Sequence, residues 1–262
     1  SECLVGSEMC IRDRFFVEPG AISEKQVVIT GKDVNHIKNV LRMKVGEEIA
    51  VSNGVDGREY RCGILQMTED AVICELRFIK EDGVELPSKI YLFQGLPKAD
   101  KMELIIQKAV ELGAYEIVPV ATKRAVVKLD AKKEKSKLAR WQAISEAAAK
   151  QSKRAVIPQV HSVMSFAQAL AYADMLDVRL IPYEMAEDMA KTRSLIEEIR
   201  PGQSIGIFIG PEGGFAPEEI EQAMAHAAQP ITLGKRILRT ETAGMTVLSI
   251  LMYTLEGQEL KA

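Results

Sequence analysis

Two stretches of the sequence decide the fold: Gly206-Ile-Phe-Ile-Gly-Pro-Glu-Gly-Gly-Phe215 and Leu233-Gly-Lys-Arg-Ile-Leu-Arg-Thr-Glu-Thr-Ala243. Each places a short apolar strand against a glycine-containing turn, and each turn leads directly into a helix. Bare backbone between the end of a strand and the start of a helix is typical of a small-molecule site in an α/β protein. Because both turns carry more polar side chains than a simple turn needs, we expect them to form such a site.

The chain around these turns alternates between strands and helices after a linker at residues 86–88. Apolar runs predict strands at residues 89–93, 117–121, 179–182, 204–209 and 230–233, and helical periodicity predicts helices at residues 100–112, 133–150, 217–227 and 241–255. Strands that alternate with helices indicate a largely parallel sheet with both faces covered. We therefore predict an α/β domain over residues 88–262.

The preceding part of the chain reads mostly as β-structure. Short runs rich in β-forming residues, separated by turn signals, predict strands at residues 14–17, 26–30, 48–52, 59–65 and 71–79, with one helix at residues 33–42. Five short strands in roughly 70 residues suggest a small β-barrel over residues 14–86. Residues 1–13 lack periodicity, and we interpret them as an extension outside the fold.

The composition is that of an ordinary globular protein. Of the 262 residues, 47% are hydrophobic and 27% are charged, and no run approaches the roughly 18–20 apolar residues of a membrane helix. The four cysteines have no CxxC spacing, and the three histidines lie far from them. We therefore expect no metal, no membrane partner, and reduced thiols in a cytoplasmic protein.

The charge is unevenly distributed. A formal net charge of −3 argues against a protein that coats nucleic acid nonspecifically, but residues 122–154 hold eleven Lys or Arg and three carboxylates. A run of this kind is consistent with a solvated helix face. It is equally consistent with a patch that faces phosphates.

The glycine-rich turn at residues 210–214 restricts the class of ligand. It matches neither the dinucleotide fingerprint nor the phosphate-binding loop of nucleoside triphosphatases. Glu218 and Glu219 open the helix that follows, and their charge disfavours a phosphate at that position. We expect a cationic or neutral ligand, bound where the carboxyl ends of parallel strands bring both turns to one crevice.

These segments resemble the 16S ribosomal RNA uridine N3-methyltransferases of the SPOUT superfamily. The resemblance includes both turns and extends in order from Arg14 to Leu255. Its supporting motifs are Arg14-Phe-Phe-Val17, His36-Ile-Lys-Asn-Val-Leu-Arg-Met43, Lys101-Met-Glu-Leu-Ile-Ile-Gln-Lys-Ala-Val-Glu-Leu-Gly113, Arg140-Trp141 and Glu146-Ala-Ala-Ala-Lys-Gln-Ser-Lys-Arg154. One departure is Arg12, which stands where members of the family begin with methionine.

The resemblance implies a PUA-like RNA-binding barrel followed by a trefoil-knotted α/β domain, one of the rare exceptions to unthreaded connections. It also implies a homodimer that binds S-adenosylmethionine in the knot and methylates a uridine of small-subunit ribosomal RNA. The residues that it implies for cofactor binding are Ile181, Pro182, Tyr183, Ile209, Gly210, Pro211, Glu212, Gly213, Gly214, Leu233, Gly234, Ile237, Leu238 and Thr242.

Catalytic and RNA-binding roles follow from the charges in the matched motifs. Arg239 is our candidate for stabilising a uracil anion because its charge is permanent, and Glu241 is either a base or a group that orients Arg239. The candidates for RNA contact are Arg14, Arg42, Lys123, Arg124, Lys153 and Arg154. Two other interpretations stay open: a SPOUT enzyme that methylates a ribose or a guanine, and a noncatalytic RNA-binding protein.

Overall fold

The computed structural model of the chain describes residues 14–259 apart from residues 82, 128 and 187, and it separates them into two units. The N-terminal unit holds residues 14–85 together with Lys153–Ile157, and the C-terminal unit holds Leu86–Ser152 and residues 158–259. The sequence predicts residues 153–157 in the α/β domain, so their place in the N-terminal unit is a correction. The suggested extension at residues 1–13 lies outside the described residues.

Five strands form the sheet of the N-terminal unit. They are β1 (Arg14–Phe16), β2 (Gln26–Thr30), β3 (Glu48–Ser52), β4 (Glu59–Met67) and β5 (Ala71–Lys80). The strand order is β1-β3-β4-β5-β2, with β1 parallel to β3 and the other pairs antiparallel. The described residues show no ladder between β1 and β2, so the structure shows the strands of the predicted barrel but not its closure.

The predicted helix at residues 33–42 is shorter and partly irregular. An α-helical turn, α1 (Lys32–Asn35), continues as a π-helical turn over His36–Val40, in which the backbone N–H of Leu41 donates to the carbonyl of His36. Arg42 then has a φ of 54°, in the left-handed region, so the helix ends before it. Ile37 is fully buried in the core of this unit.

The C-terminal unit contains a seven-stranded sheet with helices between its strands. The strands are β6 (Lys89–Gly95), β7 (Glu116–Ala121), β8 (Gln159–Val160), β9 (Met164–Ser165), β10 (Val178–Pro182), β11 (Ser204–Ile209) and β12 (Gln229–Ile231). The order is β12-β10-β11-β6-β7-β8, with β9 also on β7, and every described ladder is parallel. Phe93 and Phe208 stack in its core with ring centroids 4.4 Å apart.

Six helices complete this unit. They are α2 (Lys101–Glu111), α3 (Ala131–Gln151), α4 (Phe166–Ala173), α5 (Met189–Glu197), α6 (Pro217–Ala225) and α7 (Thr240–Glu259). Helix α2 buries Met102, Ile105, Ile106 and Ala109, the helical stripe that its sequence predicts, and it packs against α3 and α7. At Gly113, where φ is 89°, a Cβ would lie 2.5 Å from Leu86 Cδ1, so the chain after α2 requires glycine.

Four elements of this unit were not predicted from the sequence. Strands β8 and β9 have two residues each, which is too short for a periodic pattern. Helix α4 begins with a capping box between Ser165 and Gln168, a spacing that the sequence displays. Helix α5 begins after Asp188, whose side chain accepts from the backbone N–H of Lys191. No helix within the described residues has the length and apolarity needed to cross a membrane.

Candidate functional site

Three neighbouring strands of the C-terminal unit end at one edge of the sheet. Because β12, β10 and β11 are parallel and adjacent, the loops that follow them converge. They enclose a cavity of about 520 Å³. Its lining consists of Pro182, Tyr183, Glu184, Ile209, Gly210, Pro211, Glu212, Gly213, Gly214, Phe215, Thr232, Leu233, Gly234, Lys235, Arg236, Ile237, Leu238, Arg239, Thr240 and Ala243.

The loop after β11, residues 210–216, is termed the first ligand loop, and close backbone approaches explain its glycines. A Cβ on Gly210 would lie 3.0 Å from the Cα of Gly214, which has a φ of 66°. On the adjacent strand, a Cβ on Gly95 would lie 2.7 Å from the ring of Pro211. The loop therefore folds back on itself, and its glycines allow the backbone to lie close to the cavity.

The loop after β12, residues 232–239, is termed the second ligand loop, and Thr240 ties it to the first. The hydroxyl of Thr240 donates to the carbonyl of Gly210 at 2.6 Å and accepts from Nε2 of Gln94 at 2.9 Å. Thr240 is 5% exposed and Gln94 is fully buried. These hydrogen bonds fix the start of α7 against the first ligand loop.

Two carboxylates beside the cavity share one ammonium group. Lys101 Nζ lies 3.2 Å from Glu212 Oε1 and 3.3 Å from Glu241 Oε2. Burial opposes ionisation of Glu212, but hydrogen bonds from its own backbone N–H and that of Lys98, with the ammonium of Lys101, lower its pKa. The hydrogen bond to Glu212 likewise raises the pKa of Lys101. Glu212 and Lys101 are therefore both charged at neutral pH.

The second ligand loop exposes three cations. Lys235, Arg236 and Arg239 line the cavity and are exposed to solvent. Within the described part of the chain, Arg239 has no ion-pair partner. Its charge is therefore available to a ligand or substrate at the rim of the cavity.

A basic loop after β7 contacts the first ligand loop directly. Arg124 Nη1 donates to the carbonyl of Gly213 at 2.9 Å, and the backbone N–H of Lys123 donates to Glu219 at 2.8 Å. Lys123 also pairs with Glu218 at the surface. Glu219 is 6% exposed and accepts from the backbone N–H of Ala216, so it caps α6. Two predicted RNA-binding cations thus lie beside the cavity.

Most of the residues predicted to bind the cofactor line this cavity, but three predicted site residues do not. Ile181 is fully buried in the hydrophobic core of the sheet, because it lies inside β10 rather than at its end. Thr242 is exposed on the first turn of α7. Glu241 is turned toward Lys101. For Glu241, this placement favours orientation of the site over direct proton transfer.

The structure adds residues that the sequence analysis missed. Glu184, Phe215, Thr232, Lys235, Arg236, Thr240 and Ala243 line the cavity as well. Most of them belong to the two glycine-containing turns at residues 206–215 and 233–243, so their position in those turns could have identified them. The roles of Gln94 and Lys101 had no local signal, because their partners are more than a hundred residues away in sequence.

The remaining RNA-binding candidates belong to the N-terminal unit, and two of them are held in ion pairs. Arg14 forms a largely buried ion pair with Glu59, and Arg154, 4% exposed, pairs with Glu85 at 2.5 Å. Their charges are therefore largely offset inside this unit, which makes them weaker candidates for contact with phosphates than exposed cations. Arg42 and Lys153 are exposed, with φ values of 54° and 60°.

Among the described residues, no group of three or more His, Cys, Asp or Glu side chains is arranged to hold a metal ion. Cys62 and Cys74 are free thiols buried in the N-terminal unit.

Comparisons with known proteins identify the family to which the sequence is similar. The sequence profile of the RNA methyltransferase domain family matches residues 84–252, and that of the RNA methyltransferase PUA domain matches residues 29–77. The chain is 38% identical to ribosomal RNA small subunit methyltransferase E of Bacillus subtilis over 252 residues, covering 93% of this chain and 97% of that protein.

Two solved structures resemble the whole chain. One is the ribosomal RNA small subunit methyltransferase E of Neisseria gonorrhoeae bound to S-adenosyl methionine, with 31% identity, a TM-score of 0.77, and coverage of 92% of this chain and 97% of that one. The other is a Legionella pneumophila methyltransferase in complex with the same cofactor, with 31% identity, a TM-score of 0.77, and coverage of 93% and 98%. The chain therefore belongs to the family of RNA methyltransferases that carry a PUA domain, together with the ribosomal RNA small subunit methyltransferases E.

Proposed function

We propose that this protein transfers the methyl group of S-adenosylmethionine to N3 of a uridine in small-subunit ribosomal RNA. The observation that carries the proposal is the guanidinium of Arg239, which has no ion-pair partner among the described residues. It lies at the rim of a glycine-lined cavity and within one unit with an exposed basic loop. Membership of the family supports rRNA methylation with S-adenosylmethionine. Specificity for N3 of uridine follows from the sequence resemblance and from the chemistry of Arg239.

The cavity fits the cofactor in size and in chemistry. Its volume of about 520 Å³ is within the range of roughly 300–1,000 Å³ found for small-molecule sites. Gly210, Leu233 and Leu238 line the cavity, and we assign their backbone groups to contacts with the nucleoside and methionine parts of the cofactor. Glu212 and Glu184 supply negative charge suited to a ligand with a sulfonium and an ammonium group.

The reaction places a specific demand on the protein. When bound, S-adenosylmethionine supplies a methyl group on a sulfonium. Uridine N3 holds a proton at neutral pH and is a poor nucleophile until that proton passes to solvent water. The N3 lone pair then forms the bond to the methyl group, and the cofactor would leave as the thioether S-adenosylhomocysteine. Arg239 stabilises the negative charge that develops on the uracil carbonyl oxygens once the proton has left, because a guanidinium is permanently charged and its donors form a planar fork.

We assign Glu241 the role of orienting Arg239. Its carboxylate is held by Lys101 and lies outside the cavity lining, two residues after Arg239 along the chain. We assign the binding of RNA phosphates to Lys123 and Arg124, with Arg42 and Lys153 as further exposed contacts.

We further propose a trefoil knot in the C-terminal unit and a homodimer in the cytoplasm. Exposed apolar side chains support the dimer, since Ile237 is 88% exposed at the second ligand loop and Tyr253 is 80% exposed on α7. A second copy of the chain would remove these apolar side chains from water, and Ile237 would then bring the interface to the rim of the cavity.

Replacement of Arg239 by alanine tests the proposed function. We expect an unchanged fold, unchanged binding of S-adenosylmethionine in calorimetry, and a loss of rRNA methylation of about 100- to 1,000-fold, the range measured for a deleted charge-stabilising donor. Arg193→Ala, at an exposed position on α5, is the matched control and should keep full activity. Undiminished turnover of the Arg239 variant would remove Arg239 from the mechanism.

The product decides between the proposed reaction and the alternatives. Mass spectrometry of nucleosides from treated rRNA should show 3-methyluridine. A methylated ribose or guanine would assign the chain to another SPOUT activity. Absence of S-adenosylmethionine binding by the unaltered protein would favour a noncatalytic RNA-binding protein.

A further inference from the structure

Lys101 occupies an unusual position between two parts of the site. It is the first residue of α2, on the connection that follows β6, and it does not line the cavity. Its ammonium lies 3.2 Å from Glu212 in the first ligand loop and 3.3 Å from Glu241 at the start of α7. One flexible side chain therefore joins the first ligand loop to the helix that directly follows Arg239.

The electrostatics make this contact more than a surface ion pair. The side chains of Glu212 and Glu241 are only 19% and 22% exposed, and that of Lys101 is 32% exposed. Two partly desolvated carboxylates that face one cation would repel each other without it. The ammonium thus adds an electrostatic link between the first ligand loop and the start of α7, beside the hydrogen bond from Thr240 to Gly210.

The backbone of the same connection also faces this site. The N–H of Lys98 donates to Glu212 at 3.1 Å, and the next residue, Ala99, has a left-handed φ of 54°. An alanine in this region is strained, and such strain persists where surrounding contacts hold it in place. At the end of β6, Gln94 donates to Thr240, which is a second link from this connection to α7.

We propose that Lys101 is a positioning residue, which aligns the first ligand loop with Arg239 by sharing its charge between Glu212 and Glu241. The assignment rests on the proposed methyl transfer, because alignment matters only when a bound cofactor must meet a second substrate. Lys101 acts through these two carboxylates and touches neither substrate.

The test compares Lys101→Met with Lys101→Arg and with a matched control, Lys108→Met. Lys108 lies on the same helix, pairs with Glu111 at 2.8 Å, and is 38% exposed, but it does not belong to the cavity lining. The substrate is small-subunit rRNA, free or in assembled subunits, whichever form the unaltered protein methylates. The measurements are kcat, KM for RNA, and calorimetric binding of S-adenosylmethionine.

For Lys101→Met we expect a kcat about 100-fold lower, the scale of a small misalignment of reacting groups, with KM for RNA unchanged. Binding of S-adenosylmethionine should weaken about tenfold, because Glu212 loses a charged hydrogen-bond partner. Lys101→Arg should recover most of the loss, and Lys108→Met should behave as the unaltered protein does. A kcat for Lys101→Met within twofold of the unaltered value, or an equal loss in Lys108→Met, would overturn the proposal.

A double variant guards against a simple loss of folding. If Lys101 acts through Glu212, then the loss of kcat in Lys101→Met combined with Glu212→Gln should be smaller than the product of the losses in the two single variants, because the repulsion between carboxylates is gone. Independent, multiplying losses would contradict the coupling. If the unaltered protein methylates no RNA, the proposed function fails and the positioning role fails with it. If the unaltered protein methylates RNA and Lys101→Met does so equally well, only the positioning role fails.

Discussion

Two groups of cations, one in each unit of this protein, differ in their surroundings. In the N-terminal unit, Arg14 and Arg154 are buried in ion pairs with Glu59 and Glu85. In the C-terminal unit, Lys123, Arg124 and Arg239 are exposed at or beside a cavity. A charge that already has a buried partner stabilises the fold, whereas an exposed charge remains accessible to a ligand or to RNA. The type of residue alone does not separate these roles.

The largest expected effect concerns the buried pair. Arg154→Met leaves the carboxylate of Glu85 without its main cation, although the N–H groups of Ala155 and Val156 still donate to it at 3.0 and 3.2 Å. Breaking a buried ion pair by removing one partner typically costs about 3–5 kcal/mol, and we expect the N-terminal unit to lose stability on that scale. Urea unfolding, followed by a probe in that unit, measures the loss.

The same variant sharpens the contrast between the units. Arg154→Met combined with Glu85→Gln should recover part of the lost stability, because no unpaired charge remains. For the molecules of Arg154→Met that remain folded, the salt dependence of RNA binding should equal that of the unaltered protein. A stable Arg154→Met protein with a reduced salt dependence would instead return Arg154 to the RNA-binding surface.

The sequence predicts the local parts of the site but not the tertiary ion pairs. Strand ends and glycine turns are local patterns, so Gly210 and Leu233 could be placed at one crevice before the structure was known. The neutralisation of Arg154 by Glu85 depends on a segment that crosses into the other unit. The bridge from Lys101 to Glu212 and Glu241 depends on which strands are neighbours in the sheet. Such tertiary pairings carry no periodic signal, and they separate binding charges from structural ones.

An effect of intermediate size is expected at the exposed basic loop. Lys123→Gln with Arg124→Gln should preserve the fold, because exposed ion pairs contribute only about 0–1 kcal/mol. RNA binding should weaken, and the slope of log affinity against log salt should fall by about 0.7–0.9 for each phosphate that the protein no longer neutralises. Titration of rRNA at several salt concentrations measures the slope.

A second pair of substitutions distinguishes the loop from the basic helix beside it in sequence. Lys132 and Lys135 are exposed on α3, and their replacement by glutamine removes the same charge. If only the loop contacts RNA, this control should leave the slope nearly unchanged. Equal effects of the two pairs would mean that the whole basic stretch, rather than the loop, faces the phosphates.

The smallest expected effect concerns the reactivity of two buried thiols in the N-terminal unit. It leaves activity unchanged, and the same thiols serve as the probe of unfolding in that unit. Burial raises the pKa of Cys62 to about 12 and that of Cys74 to about 11, with the neighbouring Cys74 thiol contributing at Cys62. Only thiolates react with iodoacetamide, so at pH 8 the native thiols should be alkylated at least about a hundredfold more slowly than in urea. Cys3 and Cys10 are replaced by serine to leave these two thiols as the only targets.

Alkylation then reports on one unit and tryptophan fluorescence on the other, because the single tryptophan, Trp141, is buried in the C-terminal unit. Arg154→Met should speed alkylation of Cys62 and Cys74 at urea concentrations where the fluorescence of Trp141 is still native. Since reactivity of a buried thiol follows the opening of its surroundings, simultaneous changes of both signals would show that the two units unfold as one. The stabilising role of the buried pair would then extend to the catalytic unit, and the contrast between the two sets of cations would no longer follow the boundary between units.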